Sequence, residues 1–203
     1  LIAFNFASGQ LTLTEAGRHR RAAVHLISGA ANLRQLDPGG QDPLHVSLDQ
    51  FVLALTRENH TLKRALTDQR FISGIGNAYS DEILHQARLS PLRQTRQLDD
   101  SQWERLYHAT RDVLGLWISR LRSQRGGKFP EKVTAFHPDM AVHGKYRQPC
   151  PACDHPVQRI RYATNECNYC AACQNQGRLL ADRAMSRLLK KDWPKTLEDL
   201  DPL

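Results

Sequence analysis

Phe71-Ile72-Ser73-Gly74-Ile75-Gly76-Asn77-Ala78-Tyr79 lies between two stretches of helical apolar spacing, and its reading decides the fold. Upstream, Ser47 stands as an N-cap before Phe51, Val52 and Leu55. After a break near Glu58-Asn59 the spacing resumes with Leu62, Ala65 and Leu66. Downstream, Tyr79, Ile83, Leu84 and Ala87 recur on one helix face until Pro91 stops the run. A longer helix is expected from about Asp100 to Leu121, with Trp103, Leu106, Val113, Leu114, Trp117 and Leu121 inward, before Gly126-Gly127. In the turn itself, Gly74 and Gly76 permit positive φ, and Asn77 is placed to cap the next helix. A glycine turn feeding a helix N-terminus leaves backbone N–H groups pointing outward, which suits a phosphate. It is not a dinucleotide fingerprint, because it follows a helix and lacks the third glycine. A plain helix–turn–helix connection uses the same residues.

Further along, Cys150-x-x-Cys153 and Cys170-x-x-Cys173 are separated by 16 residues. This is four-cysteine zinc-ribbon spacing: each pair presents two thiolates from one knuckle, and the intervening segment is long enough for a β-hairpin that joins them. Pro149, Pro151 and Asp154-His155-Pro156 supply turn residues. A redox pair instead opens a helix in a βαβ setting, which this pattern lacks. Four protein thiolates leave no open coordination position, so the expected zinc is structural. Cys167 breaks the paired spacing and reads as a bystander on the hairpin. Arg159 and Arg161 alternate on one strand face and are placed either to contact phosphates or to sit solvated.

Before the turn, Ile2, Phe4 and Phe6, then Leu11 and Leu13, alternate as two strands about Ser8-Gly9-Gln10. Two strands alone make no stable sheet and must pack on something else. That partner is either a segment upstream or the helices that follow; residues 1–27 are read as β structure, 28–45 as a Gly/Pro linker, and 46–127 as the helical domain. Residues 128–178 are read as a loop and the cysteine ribbon, and 179–203 as a helix (Leu179 to Lys191) and tail. The fold class is α+β.

Lys and Arg number 28 against 21 Asp and Glu, a net charge of +7 in 203 residues. That balance points to a polyanionic partner, nucleic acid or an anionic surface. No apolar stretch approaches a membrane span, no signal peptide is visible, and all five cysteines cluster. A reducing, cytoplasmic setting and a monomer are the expectation.

Taken together, Lys63-Arg64-Ala65-Leu66-Thr67-Asp68-Gln69, the run Ile72 to Leu84, Ala87-Arg88-Leu89-Ser90-Pro91-Leu92 and Met140-Ala141-Val142-His143-Gly144-Lys145 leading into the cysteines resemble the formamidopyrimidine-DNA glycosylase/endonuclease VIII family. The order of motifs agrees from about residue 45 to 174, and the resemblance implies that residues 1–27 are the end of the family's N-terminal catalytic β-sandwich. The resemblance implies excision of oxidised bases from double-stranded DNA, with the damaged nucleotide flipped from the stack, followed by cleavage at the abasic site. Its nucleophile, an N-terminal proline amine assisted by a glutamate, has no counterpart in these residues, so no catalytic residue is assigned in this chain. Asn77 corresponds to the family's phosphate-binding asparagine and Lys63 to a lysine near the lesion pocket. Gly74, Gly76, Arg18 and Arg161 complete the expected DNA contacts.

The sequence also departs from the family pattern. Asn165 stands where the family's hairpin carries an arginine, five residues before the third cysteine; Arg161 or Arg178 is the candidate replacement. Glu15-Ala16-Gly17-Arg18-His19-Arg20 matches the family's wedge segment only loosely. Two function classes follow: a base-excision glycosylase and lyase, or a damaged-DNA-binding relative without chemistry. An RNA-binding protein is a third, disfavoured by the cysteine ribbon.

Overall fold

The computed structural model describes residues 2–15, 22–126, 136–162, 165–181 and 183–200, less the side chains at 162, 165 and 183–185. Arg18, His19 and Gly127 lie outside the described residues. The chain divides into two compact units between Asp37 and Pro38.

The first unit carries an antiparallel hairpin of β1 (Ile2–Phe6) and β2 (Gly9–Leu13), then a single helical turn, α1 (Ala30–Leu33). The register pairs Ile2 with Leu13 and Phe4 with Leu11, so the apolar residues share one face. None of its described residues is buried.

The second unit holds the core. Helix α2 (Leu48–Thr56) starts at Ser47 because Ser47 and Gln50 form a reciprocal capping box, as the sequence predicts. Helix α3 (Leu62–Thr67) is capped by the Thr61 hydroxyl, which accepts from the Arg64 N–H. Helix α4 runs from Asn77 to Gln86. Its N-cap is Gly76, and Asn77 is the first helical residue, which corrects the expected capping role of Asn77. Helix α5 (Asp100–Arg125) starts at an Asp99–Gln102 capping box and stops at Gly126, whose φ of 54° is left-handed. Phe51, Leu55, Leu62, Leu66, Ile72, Ile75, Ile83, Leu84 and Leu106 are fully buried between these helices.

Hairpin β3 (Gln158–Tyr162) and β4 (Asn165–Tyr169) is antiparallel, pairing Arg161 with Glu166. It leads into the short α6 (Ala171–Asn175). The architecture among the described residues is thus mixed helix with two small sheets. The last helix, α7, spans only Arg183–Leu189, shorter than the expected Leu179 to Lys191. The reason lies in the backbone. The Leu179 N–H donates to the Lys195 carbonyl at 2.7 Å and the Leu180 N–H to the Tyr169 hydroxyl at 2.7 Å, which commits both outside any helix. Leu179, Leu180 and Leu197 pack on Ile160, Tyr169 and Ala171, folding the C-terminal segment onto the hairpin.

Candidate nucleic-acid interface and metal centre

The Gln69 side chain bridges the turn between α3 and α4. Gln69 Oε1 accepts from the Gly74 N–H at 2.8 Å, and its Nε2 donates to the Ile75 carbonyl at 2.9 Å. Gly74 has φ 77°, which favours glycine. Behind the turn, Gly40 lies so close to the Gln69 carbonyl that a side chain there would collide with it. A Cβ at Gly76 would meet nothing within 4 Å, so Gly76 leaves open space beside the N-terminus of α4. No side chain caps that N-terminus. Its first N–H groups and the positive end of the helix dipole are therefore directed at an open space, a geometry suited to an anion.

Beneath the turn lies a polar network that the sequence reading missed. Lys63, only 5% exposed, donates from Nζ to the Asn77 carbonyl (2.6 Å), the Ser80 hydroxyl (2.8 Å) and Asp81 Oδ1 (2.6 Å). Asp81 is fully buried, and its Oδ2 also accepts from the Asn168 N–H at 3.1 Å and pairs with His143 Nδ1 at 2.8 Å. Its neighbour Glu82 accepts the backbone N–H groups of Ala141, Val142 and His143 at 2.8, 2.9 and 2.9 Å. Asn168 Oδ1 takes the Gly144 N–H at 2.8 Å, and Asn77 Nδ2 donates to the Glu166 carbonyl at 2.9 Å. Helix α4, the 140–144 loop and strand β4 are thereby fixed to one another. Such buried polar groups tolerate no missing partner. The sequence signals for the network are the Lys63–Gln69, Ile72–Leu84 and Met140–Lys145 motifs, which the sequence alone does not connect to one another.

This fixes a cavity of about 800 Å³ between the turn and the hairpin, lined by Lys63, Arg64, Gly76, Asn77, Ile160 and Arg161 among others. The structure therefore brings Lys63, Gly76, Asn77 and Arg161 to one space, with Gly74 in the turn that shapes it. Lys63 lines the cavity with its ammonium group turned into the network. Arg161 is exposed, with Nε 3.7 Å from Glu166 Oε2. Asn165 opens β4, and its side chain lies outside those described.

On the far side of the network, the ligand atoms of Cys150, Cys153, Cys170 and Cys173 all lie within 4.8 Å of one another. Val142 and Val157 pack against them. Burial raises the Cys170 and Cys173 thiols, the latter to about 11. Burial also opposes ionisation of Cys153, but the His155 N–H and the neighbouring thiols outweigh it and bring that group to about 6. Four thiols this close shed their protons together only where a cation takes their charge, so the donor set fits a metal ion. His85 Nε2 lies 3.2 Å from Cys150 Sγ, an outer partner of the kind that orients a metal ligand. Cys167 is buried on β4 and is not one of the four; burial pushes its thiol well up.

Residues 40–124 match the formamidopyrimidine-DNA glycosylase H2TH domain. An uncharacterized formamidopyrimidine-DNA glycosylase-like protein of Mycobacterium tuberculosis is 38% identical over 164 residues, which cover 81% of this chain and 100% of that protein. The formamidopyrimidine-DNA glycosylase of Thermus thermophilus is 38% identical over 144 residues, 68% of this chain and 54% of the relative. The crystal structure of MutM (Fpg) from Thermus thermophilus superposes with a TM-score of 0.55 at 35% identity, over 66% of this chain and 53% of that one. A complex of Lactococcus lactis Fpg with abasic-site DNA shares the fold at 23% identity, with a TM-score of 0.58 over 71% of this chain and 55% of that one. The chain belongs to the formamidopyrimidine-DNA glycosylase family, a family of DNA repair glycosylases. It spans about half the length of the Thermus enzyme and the whole of the Mycobacterium protein. No described helix is long and apolar enough to cross a membrane.

Proposed function

We propose that this chain is the DNA-binding portion of a base-excision glycosylase with abasic-site lyase activity, acting on oxidised bases in duplex DNA. The observation that carries the reading is the cavity shared by the uncapped N-terminus of α4 and the β3–β4 hairpin, with Asn77 joining the two. The N–H groups at Gly76 to Ala78 receive a phosphate of the lesion strand, the Asn77 amide adds a donor, and Arg161 and Arg64 supply charge. The net charge of +7 favours the encounter. Arg18 is proposed as a further contact. Lys63 acts from beneath by holding the Asn77 carbonyl, and so positions the turn.

Zinc is the proposed ion for the four thiolates, because the spacing and tetrahedral donor set suit it. Bound there it supplies structure and no open position for chemistry. Cys150, Cys153, Cys170 and Cys173 then tie the base of the hairpin to α6 and set its angle to the turn. The domain limits read from the sequence, a monomeric state and a cytoplasmic location belong to the same proposal.

The imine chemistry that the family resemblance implies runs through the amine of an N-terminal proline. The test is borohydride trapping, using protein carrying its natural N-terminus and duplexes that contain 8-oxoguanine, an oxidised pyrimidine or an abasic site. A covalent adduct supports the glycosylase and lyase. Salt-sensitive binding without an adduct supports instead a damage-binding relative that lacks the chemistry. One observation favours that second reading: Asn165 in place of the hairpin arginine.

A further inference from the structure

A second cavity, of about 420 Å³, lies on the other side of Arg161, between the hairpin and the folded-back C-terminal segment. Tyr146, Arg159, Arg161, Tyr169, Leu189 and Trp193 are among its walls. Arg161 lines both cavities, so the two are adjacent along the hairpin. The volume falls in the usual range for small-ligand pockets.

Its walls divide by chemistry. The Arg159 guanidinium lies over the Tyr146 ring at 4.0 Å from the centroid and 3.8 Å from Glu166 Oε2, so it is held as a flat plate. Arg159 Nη1 and Arg161 Nε lie 3.8 and 3.7 Å from Glu166 Oε2, which draws the two guanidinium groups to the same wall of the cavity. Opposite are Leu189 and the half-buried Trp193 ring, brought there because Leu179 and Leu197 anchor the segment on the hairpin. An aromatic face next to paired arginines is the composition of a stacking site for one base with its phosphate. A purely apolar ligand leaves the arginines unused, and a lone anion leaves the ring unused.

We propose that this cavity takes one unpaired nucleotide of a DNA strand running past the turn. The base stacks on Trp193 and its phosphate meets Arg159 and Arg161. The proposal rests on the DNA-binding reading above. It makes the chain prefer duplexes carrying a single-stranded tail, gap or flap over blunt ones, and it gives the C-terminal segment a role in recognition.

The test uses the full chain with two duplexes that share an abasic-site analogue, one blunt and one with a short single-stranded tail containing 2-aminopurine. The tailed duplex is expected to bind at least about five-fold more tightly, in line with one base–aromatic stack, with quenching of the 2-aminopurine. Trp193→Ala is expected to remove the increment and the quenching while leaving blunt-duplex affinity unchanged. Trp193→Phe is expected to keep much of both, and Arg159→Gln to reduce the increment without unfolding the segment. Equal affinity for the two duplexes, or an increment that survives Trp193→Ala, overturns the proposal and leaves the DNA-binding reading standing. Failure to bind either duplex overturns both.

Discussion

Asn77 and Glu166 are 89 positions apart in the sequence, yet the Asn77 side-chain amide donates to the Glu166 carbonyl at 2.9 Å. The first residue of α4 is thereby tied to the hairpin, and the carbonyl of the same residue takes the Lys63 ammonium at 2.6 Å. Asn77 is thus fixed from both sides at the mouth of the cavity. A net intramolecular hydrogen bond contributes about 1 kcal/mol, whereas one to a charged group contributes about 1.5–3 kcal/mol. Asn77→Ala is therefore expected to lower the melting temperature only slightly and to weaken abasic-duplex binding by about ten-fold or more. Fluorescence anisotropy beside a thermal melt separates the two. Unchanged affinity removes Asn77 from the interface.

The buried Lys63–Asp81 pair gives a second expectation. Removing one partner of a buried ion pair costs about 3–5 kcal/mol, because the other charge is left uncompensated. Asp81 also serves His143 and Asn168, so Asp81→Ala is expected at the upper end. The double variant Lys63→Met, Asp81→Leu should cost less than the sum of the single changes. Urea unfolding of the four proteins measures the coupling; simple additivity would show that the pair does not act as a unit.

Metal content separates the cysteines. One zinc per chain is expected by elemental analysis. Cys150→Ser or Cys173→Ser should lose it, along with the protection of the hairpin amides. Cys167→Ala should keep one ion, since Cys167 lies outside the quartet. Loss of metal on Cys167→Ala would reassign the donor set.

Acid stability should report Asp68. Its hydrogen bonds to Arg70 hold the carboxyl at about 2, below the usual 3.8, despite some opposing burial. The folded form therefore binds the proton less readily than the unfolded chain. The contribution is fully present above about pH 4 and is lost as pH falls toward about 2. Wild type and Asp68→Asn should differ in unfolding free energy at neutral pH and converge over that acidic window. A constant difference across it would mean that the ion pair adds nothing.

The parts of this molecule legible in the sequence are those whose causes are local. Ser47 and Asp99 start their helices through residues three positions on, and Gly126 ends one by its own φ. The cysteine quartet is legible because paired spacing is itself the signal. What stays hidden is set by partners far along the chain. Ser80, Asp81, Glu82 and His85 fall outside the apolar face that the spacing gives α4, yet all four are buried. Their partners are Lys63, the 141–143 amides, Asn168 and Cys150, up to 87 positions away. The C-terminal helix reads too long for the same reason. Its apolar periodicity is real, but Leu179 and Leu180 are claimed by Lys195 and Tyr169.

The most direct test of the central claim is amide hydrogen exchange of the chain with and without a duplex containing an abasic-site analogue. Binding across the turn and hairpin predicts new protection at the N–H groups of Gly76, Asn77 and Ala78 and along residues 158–162, with the outer face of α5 unchanged. Protection confined to other surfaces, or none at saturating duplex, would contradict the account.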